Sequence, residues 1–177
     1  MRLRSVFLVL IRGVITLTSR AQGDNPAPSA LQWSPNGQWL AQGYMDSRVL
    51  ISSVNDLTKG IKLKLEGAIS SIAWSPDSSR VAVGLYANEN ISIWDTGTGS
   101  LITILKGDKV YDGGGAYVAW NPKQEILASI ANDWDSGRPL RFWETQTYSQ
   151  IGSGEVFMVY PMTSSLKWRP EGLKPDN

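Results

Sequence analysis

Four segments of the 177-residue chain share one pattern, an apolar residue two places before a Trp and a Pro two places after it. They are Leu31-Gln32-Trp33-Ser34-Pro35-Asn36-Gly37, Ile72-Ala73-Trp74-Ser75-Pro76-Asp77-Ser78, Val118-Ala119-Trp120-Asn121-Pro122-Lys123-Gln124 and Leu166-Lys167-Trp168-Arg169-Pro170-Glu171-Gly172. The Trp residues are spaced by 41, 46 and 48 positions. A regular period means that one supersecondary unit is used repeatedly, and about 40 to 45 residues suits four short strands with their connections.

Other marks keep step with the Trp. Seven residues after each of the first three stands Leu40, Val81 or Leu127, each followed by Ala and opening a second strand. A third strand ends at Val49-Leu50-Ile51-Ser52-Ser53, Ile91-Ser92-Ile93-Trp94-Asp95 and Leu140-Arg141-Phe142-Trp143-Glu144. Apolar and polar residues alternate through these runs, the period of a half-buried strand. Pro35 presets the backbone angle at the second position of a turn that Gly37 closes, and Thr96-Gly97-Thr98-Gly99 makes a similar reversal. After the N-terminal leader no window has helical periodicity, so the expected class is all-β.

Composition removes most alternatives. With no Cys and no His, disulfides, thiol chemistry, Cys-based zinc sites and the commonest general base are all excluded. No cofactor and no metal is expected. Asp133-Trp134-Asp135-Ser136-Gly137 alternates acids before a Gly but lacks the distal Glu of a calcium loop, and Gly113-Gly114-Gly115 lacks the Lys-Ser/Thr ending of a phosphate loop. The 17 basic and 16 acidic residues nearly cancel, which gives no electrostatic reason to expect nucleic acid.

The second repeat carries a specific resemblance. Trp74-Ser75-Pro76-Asp77, Val81-Ala82-Val83-Gly84, Ile91-Ser92-Ile93-Trp94-Asp95, Thr98-Gly99 and Leu101-Ile102-Thr103-Ile104-Leu105-Lys106-Gly107 resemble the four strands of one WD40 blade. Ser52-Ser53 and Trp143-Glu144 stand at the Trp-Asp position of the first and third repeats. The resemblance implies a β-propeller, with blade 1 over about 30–66, blade 2 over about 67–107, blade 3 over about 115–153 and the first strand of a fourth over about 163–177. Trp33, Trp74, Trp94, Asp95, Trp120, Trp143 and Trp168 are then structural repeat positions. Closed propellers need about 4 to 8 blades, so three full four-stranded antiparallel blades and one strand read as an open fragment of a larger propeller, with edges open to self-association. One departure matters: without His, the family's buried hydrogen-bond network through His, Ser or Thr, Asp and Trp cannot form, and these blades are expected to rely on apolar packing and to be less stable than well-matched WD40 blades.

Residues 1–22 have a basic start, an apolar run from Val6 to Ile11 and small residues at Ser19 and Ala21. They read either as a signal peptide cleaved after Ala21 or, since Arg12 interrupts the apolar core, as an N-terminal tail. The chain is secreted or periplasmic in the first case and cytoplasmic in the second. No run is long enough for a membrane span of about 20 residues. Residues 23–29 form a Pro-containing linker, and the remainder from 30 to 177 is the repeat domain. Four basic residues lie in the leader, leaving 13 against 16 acids, a balance of −3, in residues 23–177.

The resemblance implies a non-catalytic scaffold that binds a protein or peptide, with partner contacts on the loops joining second to third and fourth to first strands. Tyr44, Tyr86, Tyr111, Asp133, Trp134 and Asp135 occupy those loops. Aromatic residues among acids suit a basic peptide, because aromatics dominate binding hot spots and carboxylates pair with Lys and Arg. Two rival readings remain: the propeller portion of a TolB-like or prolyl-oligopeptidase-like protein, whose repeats share Trp-Ser-Pro-Asp, and a fragment with no independent function.

Overall fold

The structure, a computed structural model, describes residues 10–11, 14–15, 26–86, 88–107, 115–131, 138–156 and 166–168. In the leader, β1 (Leu10–Ile11) pairs antiparallel with β2 (Val14–Ile15). The repeats then form three antiparallel four-stranded sheets, each a meander in chain order. The first holds β3 (Ala30–Trp33), β4 (Trp39–Gly43), β5 (Arg48–Ser53) and β6 (Asp56–Lys64). The second holds β7 (Ile69–Trp74), β8 (Arg80–Leu85), β9 (Asn88–Asp95) and β10 (Leu101–Leu105). The third holds β11 (Ala116–Trp120), β12 (Ile126–Ala131), β13 (Arg138–Glu144) and β14 (Gln150–Val156).

Each second strand opens one residue earlier than the Ala-preceding mark, at Trp39, Arg80 and Ile126. The Trp-x-Pro turn itself extends the ladder: the backbone N–H of Ser34, Ser75 and Asn121 donates to the carbonyl of Trp39, Arg80 and Ile126 at 2.8 to 2.9 Å. Ser34 and Ser75 then accept the returning N–H of Trp39 and Arg80 on their hydroxyl oxygens, both at 2.9 Å.

Packing follows from the two-residue period of a strand. Val81, Val83 and Leu85 of β8, with Ile72 and Trp74 of β7, face Ala41, Val49, Ile51 and Leu63 of the first sheet in one core cluster. Ala73 and Ala82, with Ile91 and Ile93, face Val118, Trp120, Leu127 and Trp143 of the third sheet in another. The second sheet is therefore buried on both faces. Close approach needs Gly84, where a Cβ would collide with the Ala116 carbonyl oxygen. At the far side, Leu166–Trp168 run beside the third sheet without strand pairing among the described residues, and the Trp168 ring lies 5.9 Å from that of Phe142.

Candidate functional site

An antiparallel meander puts the Trp-x-Pro turns of all three sheets at one end and the loops joining second to third strands at the other. Two cavities lie between these ends. One, of about 260 Å³, is lined by Ser29, Ser70, Ser71 and Tyr117 among others, and the second, of about 440 Å³, by Trp33, Trp74, Trp120 and Trp168. They share Gln32, Val118, Leu166 and Lys167, so they are two parts of one channel running along the first strands.

At the loop end, hydroxyls tie the sheets together. Ser29 donates to the Ile69 carbonyl at 2.8 Å, and Ser70 and Ser71 both donate to the Ala116 carbonyl, at 2.6 and 3.0 Å. Tyr44 is half-buried, with its hydroxyl donating to Gln42 Oε1 at 3.3 Å and its ring 5.1 Å from the Arg48 guanidinium. Arg48 in turn pairs with Asp46 at 2.6 Å, and that hydrogen bond holds the Asp46 carboxyl below its ordinary range. Tyr86 is half-buried too; its N–H donates to the Ala68 carbonyl at 2.9 Å and its backbone bridges Gly115. Its phenol meets that of Tyr117, whose pKa is raised first by burial and then by Tyr86. The structure thus gathers Tyr117, Ser29, Ser70 and Ser71 at one channel mouth, with Tyr86 against Tyr117 and Tyr44 on the same end. Tyr117 and the serines were not among the expected contacts, because Ser29 stands in the linker and the others on first strands rather than in the loops that were expected to bind. Tyr111, Asp133, Trp134 and Asp135 lie outside the described residues.

The repeat positions divide the work of holding sheets together. Trp74 Nε1 donates to the Gln32 carbonyl at 3.1 Å, and Trp168 Nε1 to the Ala119 carbonyl at 2.9 Å. In both cases the acceptor directly precedes the previous repeat's Trp. Trp120 breaks the rule, since its Nε1 is buried without a partner. Trp33, which has no described sheet before it, is 38% exposed. The third-strand indoles bond within their own sheets, Trp94 to the Ser92 hydroxyl at 2.8 Å and Trp143 to that of Ser129 at 2.9 Å. Part of the hydrogen bonding expected to suffer from the missing His therefore persists as indole-to-hydroxyl pairs. Asp95 and Glu144 cap equivalent turns, accepting from Thr98 and from Thr147; those hydroxyl and amide bonds hold both carboxyls below their ordinary range.

Among the described residues no three His, Cys, Asp or Glu side chains cluster as metal ligands, and no helix is long and apolar enough to cross a membrane. Three radially packed four-stranded meanders with a Trp at each inner strand define WD40-type propeller blades. A family model described as "WD domain, G-beta repeat" matches residues 16–51, and one described as "Eukaryotic translation initiation factor eIF2A" matches residues 43–173. The chain belongs to the WD-repeat proteins and, through the match over most of its length, to the family that the latter describes. It is 32% identical over 122 residues to human "Pre-mRNA-processing factor 17", covering 65% of this chain and 20% of that protein. To "WD repeat-containing protein 1" of Gallus gallus it is 34% identical over 98 residues, covering 55% and 14%. The fold is similar to that in "Structure of U3-55K", with a TM-score of 0.65 at 17% identity over 76% of this chain and 41% of the other. "Crystal structure of RRP9 WD40 repeats" aligns with a TM-score of 0.64, again at 17% identity, over 75% and 39%. The chain spans a fifth or less of the length of these curated relatives.

Proposed function

We propose that the chain is a non-catalytic interaction module that docks a peptide across the loop end of its sheets. The observation that carries this reading is that Tyr117 lines a channel part of about 260 Å³ and is met by the half-buried Tyr86, with Tyr44 on the same end. Rigid aromatic surface at a concave mouth supplies contact area at low entropic cost. In the sequence Tyr111 falls between β10 and β11, and Asp133, Trp134 and Asp135 fall between β12 and β13, and these acids favour a Lys- or Arg-containing peptide. Membership among WD-repeat proteins supports the same class of activity. The blade boundaries proposed for this module are about 30–66, 67–107, 115–153 and 163–177.

Selection of random displayed 12-residue peptides on the immobilised chain tests the reading. Bound peptides are expected to be enriched in Lys and Arg and to lose at least about tenfold in affinity against Trp134→Ala or Tyr86→Ala, the cost of one hot-spot aromatic. Undiminished capture by both variants would sink the proposed face, and acidic selected peptides would overturn its charge preference.

A further inference from the structure

Four contacts between the second and third sheets come from one side chain. Arg80, the first residue of β8, donates from Nη1 to the Thr145 carbonyl at 2.9 Å and to the Tyr148 hydroxyl at 3.1 Å. Its Nη2 meets Glu125 Oε2 at 3.3 Å, and its guanidinium lies 5.1 Å from the Trp120 ring centre. Glu125 is itself held in place by the Thr145 hydroxyl, which donates to the same Oε2 at 2.6 Å. Arg80, Glu125, Thr145, Tyr148 and Trp120 thus form one polar cluster at the Trp-x-Pro end, away from the proposed peptide face.

Two irregularities show that this cluster is built rather than incidental. Tyr148 sits at φ 58°, a left-handed conformation uncommon outside Gly, and the equivalent turn of the second sheet has Gly99 at φ 72°. The strained backbone is tolerated where it brings a phenol to Arg80. Trp120 is the other irregularity, because its indole makes no bond to the neighbouring first strand while Trp74 and Trp168 do.

We propose that Arg80 is the electrostatic latch of a hinge: over an apolar cluster and the Ser70 and Ser71 bonds to Ala116, its loss loosens the third sheet from the second as a unit, while the first two sheets stay joined. The groups that face Arg80 are Glu125, Asp77, Glu144 and the Tyr148 hydroxyl, so the latch is an electrostatic device weakened by salt. Release exposes Ala73, Ala82, Ile91 and Ile93, a continuous apolar face.

Amide hydrogen exchange on the whole chain tests this. Raising NaCl from about 0.05 to 1 M is expected to speed exchange in β11 and β12 about threefold relative to β4 and β5. Arg80→Met, which keeps the aliphatic stem, is expected to raise the same ratio about tenfold and to abolish its salt dependence, and Arg80→Lys to fall between. Equal acceleration of all three sheets in the variant would show Arg80 to be a general stabiliser and overturn the hinge. The salt series on the unaltered chain decides even if Arg80→Met fails to fold, since a ratio unmoved by salt rejects the latch.

Discussion

The seam between the first and second sheets and the seam between the second and third are built on the same frame and closed by different chemistry. At the position that opens the second strand, the first sheet has Trp39 and the second has Arg80. Trp39 joins Trp94 in packing against a core cluster of Ala41, Val49, Ile51, Val81 and Val83, and Trp74 adds its bond to the Gln32 carbonyl. The second seam has an apolar cluster of its own, but there Arg80 takes the place of Trp39 and of the indole bond, gripping the far turn and covering an indole whose own donor is unpaired. A single repeat pattern therefore leaves the closing interaction free to vary, and a seam closed by apolar contact alone and one that adds a charged fork respond to different insults. Apolar contact is indifferent to salt and sensitive to lost volume; a charged fork is the reverse.

The largest break in that comparison comes from Trp74→Ala. Trp74 is 6% exposed and sits in the first seam's core, so truncation is expected to cost about 3–5 kcal/mol, measured by urea denaturation followed by near-ultraviolet circular dichroism. Arg80→Met should cost less, about 1.5–3 kcal/mol, the range for hydrogen bonds to a charged group, and the loss should shrink in high salt. If Trp74→Ala turned out to be the milder of the two, the apolar seam would not be the stronger one. A finer probe compares Trp74→Phe with Trp120→Phe. Both remove the same ring volume and an N–H, but only Trp74 has an acceptor, so Trp74→Phe should be worse by about 1 kcal/mol. Equal costs would mean that the Gln32 bond contributes nothing net.

What the sequence makes legible divides along the same line. The Trp-x-Pro period and the alternation of Ile91-Ser92-Ile93 in β9 place all three sheets and their turns, because strand period and turn chemistry are local properties. Ala73 and Ala82 read as small strand residues; their role as the face that receives the third sheet emerges only once β11 is laid against them. Arg80 is illegible for a different reason. Its partners lie 45 to 68 residues away, and an Arg after Ser-Ser reads as a solvated strand start. Tyr44 and Tyr86 were legible as loop aromatics, whereas their half-burial is set by Arg48 and by Tyr117 from elements the loop sequence does not contain.

The smallest contrast lies in the Trp-x-Pro turns. In the first sheet Asn36 accepts from the Ser34 hydroxyl at 2.7 Å; in the second Asp77 accepts from that of Ser75 at 2.6 Å and from the Ser79 hydroxyl at 2.7 Å. Burial opposes ionisation of Asp77, but the Ser75 and Ser79 bonds and the nearby Arg80 charge outweigh it and lower its pKa from 3.8 to about 2. A carboxyl depressed in the folded state stabilises it above the unfolded value and loses that contribution as pH falls through the folded one. The second turn should therefore weaken between about pH 4 and about pH 2, by less than about 1 kcal/mol given its exposure to solvent. Asp77→Asn, which copies the first turn, should lower stability at pH 7 by that same amount, less than about 1 kcal/mol, and match the unaltered chain near pH 2, so that this part of the acid-induced loss disappears from the difference between urea midpoints at pH 7 and pH 2.5. An identical acid loss in the variant would place the titrating group elsewhere and leave the two turns equivalent in practice.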